Sequence, residues 1–128
     1  VDNNQLVKIG ALLIHAAKID EDFTQEEENI IRQTLINFDS TNKNIDEVIK
    51  KAKKIEENSN QILDFTKEVK NMEENKKIKI IKTLWKIIFS NKKADIFEAN
   101  LMRRLAGLLY IDSKIMGDIK EQIKKENS

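Results

Sequence analysis

Cysteine and proline are absent from this chain, glycine occurs three times, and aromatic side chains make up 5% of the residues. Without cysteine there is no disulfide framework, no thiolate metal site and no thiol chemistry, which suits a reducing compartment. Without proline, and with so little glycine, helix breakers are scarce and a glycine-rich phosphate loop is excluded. No apolar run approaches the ~20 residues of a spanning helix. No signal peptide is visible, although the chain begins at Val1 and leaves room for an upstream segment carrying an address. Neither sign of charge dominates: the formal net charge is +1, so nothing pulls the whole chain toward nucleic acid or an anionic membrane.

What is present is charge in balance, 35% of all residues, laid over an apolar pattern of helical period. A length of 128 residues suffices for one domain, spanning 1–128, with a core that needs no metal or disulfide. Leu6, Ile9, Leu12, Leu13, Ala16 and Ala17 give a first helix ending near Ile19. Thr24 and Glu27 then form a T-x-x-E capping box ahead of a second helix with Ile30, Ile31, Thr34, Leu35 and Phe38 on one face. Asn44, with Glu47 three residues on, predicts the cap of a third helix carrying Ile45, Val48, Ile49, Ala52 and Ile55. A fourth helix carries Ile62, Leu63, Phe65, Thr66 and Val69, followed by a polar break from Asn71 to Asn75. Ile78, Ile81, Leu84, Trp85 and Ile88 mark the fifth. Asp95 and Glu98 repeat the capping box before a sixth with Leu101, Met102, Leu105, Leu108 and Leu109. Asp112 or Ser113 caps a seventh with Ile115, Met116, Ile119 and Ile123.

Two stretches repeat one another. Leu13 to Phe38 and Leu84 to Leu109 both read as helix, polar break, capped start and helix. At one constant offset Glu27 meets Glu98, Asn29 meets Asn100 and Arg32 meets Arg103. Val7 and Ile78, Lys8 and Lys79, Ile9 and Ile80, and Leu13 and Leu84 also align. A hairpin that cannot cover its own apolar face can bury it against a second copy. The repeat therefore predicts two pseudo-symmetric hairpins packed face to face, closed by the middle helices and the last one.

This double unit resembles the TerB-like family, the all-helical tellurite-resistance type also found at the N-terminal side of the co-chaperone DjlA. Its halves carry A-x-A-D-G-x-x-x-x-x-E at the break between helices. The first copy here reads Ala17-Lys18-Ile19-Asp20-Glu21 and ends in Glu27; the second reads Ile88-Phe89-Ser90-Asn91-Lys92 and ends in Glu98. EANLMRRLAGLL, after the second break, is the most family-like stretch. The resemblance implies a divalent cation such as calcium near the acidic positions, carried over to Asp20, Glu27 and Glu98. Against it, Glu21 and Lys92 replace the family glycines, Asn91 replaces an aspartate, and the ammonium groups of Lys92 and Lys93 compete for the carboxylates.

Each candidate site has a plainer reading beside it. The cluster Asp20-Glu21-Asp22 with Glu26, Glu27 and Glu28 lacks calcium-loop spacing, and carboxylates in a first turn already suit capping and the helix dipole. Arg32 sits four residues after Glu28, at ion-pair spacing, and with Arg103 reads as a structural salt-bridging residue rather than an anion site. His15 is the only histidine, which with no cysteine argues against a zinc site, and a solvent-side or boundary position is expected. Lys76, Lys79, Lys82 and Lys86 make a stripe along the fifth helix, and Lys50, Lys51, Lys53 and Lys54 another on the third. Such stripes can follow a phosphate backbone, but scarce aromatics favour a solvated face. Trp85 belongs to the core by its spacing, with a groove rimmed by Trp85, Phe89 and Phe97 as the interaction reading.

The sequence thus leads to an all-α bundle of about seven helices and, by resemblance, to a non-enzymatic interaction or sensing module of the bacterial cytoplasm. That module would be linked to stress or tellurite resistance, with protein partners and weak cation binding at Asp20, Glu27 and Glu98. The alternative is a nucleic-acid binder using the lysine stripe of the fifth helix.

Overall fold

From Ile9 to Ala17 the chain runs its longest course without a charged side chain other than His15, and that stretch becomes the middle of the fold. The computed structural model describes residues 2–19, 23–41, 44–59, 62–90 and 96–126, with the side chains of 96–98 outside the description. Among these residues lie seven helices and no strand. They are α1 (Asn3–Ala17), α2 (Gln25–Phe38), α3 (Ile45–Glu57), α4 (Leu63–Val69), α5 (Glu74–Ser90), α6 (Ile96–Leu108) and α7 (Ser113–Glu126).

α1 is buried on nearly all sides: from Leu6 onward only Lys8 and His15 escape full burial. A helix that is apolar all round has to be surrounded, and α3, α4, α2 and α5 surround this one. Its start is fixed by a capping box the apolar pattern does not announce. Asp2 Oδ1 accepts from Gln5 N at 2.8 Å, and Asp2 N donates to Gln5 Oε1 at 3.1 Å. Gly10 sits where α1 meets α3. A Cβ there would lie 3.0 Å from the Ala52 Cβ, so the missing methyl lets the two helices approach closely.

The predicted capping box of α2 is present. Thr24 Oγ1 accepts from Glu27 N at 3.1 Å, and Thr24 N donates to Glu27 Oε1 at 2.8 Å. Its buried strip is narrow, consisting of Glu27, Ile31 and Leu35, with Ile30 and Phe38 half-buried at its margins. α3 departs from expectation at its start: Asn44 occupies the cap position, but its side chain makes no capping hydrogen bond. Its backbone ψ of 42° is not the extended conformation in which an N-cap side chain reaches back to the first turn. The break read from Asn71 to Asn75 is shorter than expected, because Glu74 and Asn75 already belong to α5. The Asp95–Glu98 capping box lies outside the described residues.

Two ion pairs, Arg32 with Asp46 and Lys53 with Glu28, join α2 to α3 along their solvent edge. Arg32 therefore pairs across helices and not with Glu28 one turn back. α6 ends in a Schellman turn, with Ile111 N donating to Ala106 O at 2.9 Å and Tyr110 N to Gly107 O at 3.3 Å. The left-handed position of that turn, φ 58°, is held by Tyr110. Asp112 caps α7, accepting from Lys114 N at 2.8 Å. The first hairpin, α1 with α2, packs on α5, and α7 closes over α5, while α6 approaches α4 and α7. The two sequence copies thus lie in different surroundings.

Candidate functional site

Of the three carboxylates assigned to a cation, the structure places one. Asp20 and the side chain of Glu98 lie outside the described residues, as do Glu21, Asp22, Asn91, Lys92 and Lys93. Glu27 has no exposed surface. Its Oε1 accepts from both the backbone N–H and, at 3.2 Å, the hydroxyl of Thr24. A buried carboxylate needs such donors, and the first turn of α2 supplies a favourable dipole as well. Among the described residues no three His, Asp or Glu side chains gather as a metal would require.

A second charged cluster escaped the sequence reading. Glu56, on the buried strip of α3 one turn past Ala52, bonds Lys18 Nζ at 2.7 Å and faces His15 Nδ1 at 3.4 Å. His15 is half-buried, the boundary position of the two expected for it, with its ring 5.6 Å from that of Phe65. A glutamate continuing the apolar series Ile45, Val48, Ile49, Ala52 was the available signal. The cluster ties the end of α1 to α3, satisfying a nearly buried carboxylate.

The lysine stripe of α5 is partly engaged. Lys79 and Lys86 are exposed, Lys76 and Lys82 half-buried. Lys79 Nζ lies 5.8 Å over the Phe38 ring, and Lys77, between them in sequence, is buried with its Nζ 5.7 Å over Tyr110.

Trp85 carries the most informative geometry. It is 5% exposed, in the core as its spacing predicts, and stacks on Phe89 at 5.7 Å. Yet its indole Nε1 is buried with no hydrogen-bond partner among the described residues. Buried polar groups are paired in the great majority of cases, and leaving one unpaired is costly. The same side chain borders an open cavity of about 470 Å³ between α6 and α7, walled by Met102, Ala106 and Met116 and by the cations Arg103 and Lys120. Lys120 Nζ stands 5.4 Å above the indole centroid. The groove foreseen at Trp85 is therefore formed with α6 and α7 and does not include Phe89; Phe97 lies outside the described side chains. Its size falls in the range of ligand sites.

A family model described as tellurite resistance protein TerB matches residues 7–121. No curated protein matches the chain, and no solved structure does. The match spans five of the seven helices, α2 to α6, entirely and most of α1 and α7, including both copies of the repeat. No helix among the described residues is long and apolar enough to cross a membrane. This chain belongs to the TerB family.

Proposed function

We propose that the chain is a non-enzymatic TerB-type interaction module of the bacterial cytoplasm, serving stress or tellurite resistance by engaging a protein partner in the groove over Trp85. One observation carries the reading: Trp85, whose buried indole donor has no acceptor among the described residues, lines an open groove that also carries two cations. Such a donor gains its hydrogen bond when something else supplies the acceptor. Growth on potassium tellurite of cells carrying the wild-type chain or Arg103→Glu/Lys120→Glu tests it. A variant that stays folded and loses protection supports the reading, whereas equal protection by the folded variant overturns it.

A second reading, a divalent cation such as calcium at Asp20, Glu27 and Glu98, is supported by the complete burial of Glu27 beside the acidic break. Oxygen donors of this kind suit calcium, although Thr24 already occupies Glu27 Oε1. Calorimetric titration with calcium and magnesium checks it: saturable heat lost in Glu27→Gln supports it, and neither heat nor a Tm change at millimolar metal removes it. The nucleic-acid reading draws less support, since Lys76 and Lys82 of the stripe are half-buried and Lys79 lies over the Phe38 ring.

A further inference from the structure

Two glycines line the same groove, Gly107 in the last turn of α6 and Gly117 inside α7. Glycine inside a helix is less stable than alanine, so its presence calls for a local reason. A left-handed turn position does not supply one, since neither glycine has a positive φ. Packing does not either: a Cβ built on each would meet nothing within 4 Å. This contrasts with Gly10, whose missing Cβ is explained by Ala52 at 3.0 Å. What remains at Gly107 and Gly117 is a smooth floor on which another backbone can rest closely, as small residues permit between packed helices.

The charge of the groove selects what that backbone carries. Arg103 and Lys120 line it, neither with a carboxylate partner among the described residues, and no described lining residue is acidic. Ala106 is half-buried in the groove, and the nearly buried Met102 and Met116 form an apolar, adaptable floor beneath it. Trp85 lines the same groove, its indole donor unpaired among the described residues and the Lys120 ammonium over its ring.

We infer that the groove between α6 and α7 takes an acidic amphipathic helix of a partner protein. Its apolar face rests on Ala106 over the nearly buried Met102 and Met116, its backbone passes close over the exposed Gly107 and Gly117, and its carboxylates engage Arg103 and Lys120. Drawing Lys120 toward an acid uncovers the indole, and a partner oxygen accepts from Trp85 Nε1. This rests on the groove being the recognition surface proposed above and adds the chemistry of the occupant.

The test is a displayed library of helical peptides with a fixed apolar stripe and the flanking positions randomised among Glu, Lys and Gln, selected against the full chain. Selected peptides are expected to be rich in Glu. Their affinity should fall about tenfold or more in Arg103→Glu/Lys120→Glu and in Gly117→Leu, in line with the loss of desolvated charge pairs or of close approach. Gly117→Leu fills open space in a helix, so circular dichroism should show it folded, and Gly117→Ala serves as the milder second variant. Enrichment of Lys or Gln with loss of binding in Gly117→Leu keeps the groove but overturns the acidic partner. Binders indifferent to Gly117→Leu, or no binders at all, overturn the inference. So does sedimentation that shows a dimer of this chain abolished by Gly117→Leu, since the occupant is then a second copy.

Discussion

Tyr110 holds a left-handed backbone, φ 58°, at the turn that ends α6, and its side chain is 70% exposed. A bulky residue in that region carries a cost of roughly 1–2 kcal/mol that glycine avoids. The contact with Lys77 Nζ at 5.7 Å returns only part of it, about 0.5 kcal/mol at an exposed site. Tyr110→Gly is therefore expected to raise stability by ~0.5–1 kcal/mol in urea melts; a loss of stability would show that the tyrosine contributes more than this contact. Gly117→Ala should likewise stabilise, by about 0.5–1 kcal/mol, because the added methyl meets nothing and helix propensity improves. Both residues read as unremarkable in sequence. Tyr110 lies beside the strong series of leucines in α6, and nothing in its neighbours marks a left-handed turn that glycine usually fills.

At the scale of elements, the most extensive packing among the described helices is that of α1 on α3, and Gly10 sits at its contact with Ala52. Gly10→Val should push against Ala52, whose Cβ sits on a rigid helix, and cost ~2 kcal/mol, as overpacking does. Ala52→Gly in the same chain should restore part of that loss, which a double-mutant cycle would read directly. The link of α2 to α3 is electrostatic and pH-dependent. The hydrogen bond from Lys53 lowers the pKa of the Glu28 carboxyl, its charge adding to the effect and partial burial opposing it. A carboxyl held lower in the folded state stabilises fully above its unfolded value. That contribution fades as pH falls from roughly 4.3, the ordinary glutamate value, through the folded one. The stability gap between the wild type and Glu28→Gln should accordingly be constant from pH 6 to 8 and close toward pH 3. Capping was legible where the pattern was complete, as at Thr24 and Glu27. It was missed at Asp2 and Gln5, because the helix boundary was drawn from Leu6, the first apolar residue. Asn44 shows the converse, a suitable residue at the cap position whose backbone angle prevents the bond.

For the whole molecule, the duplicated helix–break–helix pattern located the family and the helices, since apolar period and capping are local signals. It drew attention to Leu84–Leu109, whereas the uncharged stretch of α1 is what the other helices surround. Contacts across distance were not legible. Glu56 finds His15 and Lys18 from 41 and 38 residues away, and the groove combines Trp85 of α5 with walls from α6 and α7. Trp85 was rightly placed in the core, but no spacing rule shows that its indole nitrogen lacks an acceptor among the described residues. The central claim is that this nitrogen waits for a partner. Trp85 is the chain's single tryptophan, so its indole N–H gives one isolated signal in a nitrogen-15 correlation spectrum. On titration with a Glu-rich helical peptide, that signal should move downfield and saturate, together with the amides of Arg103, Gly107, Gly117 and Lys120. An indole signal that stays in place while the peptide binds would contradict the account.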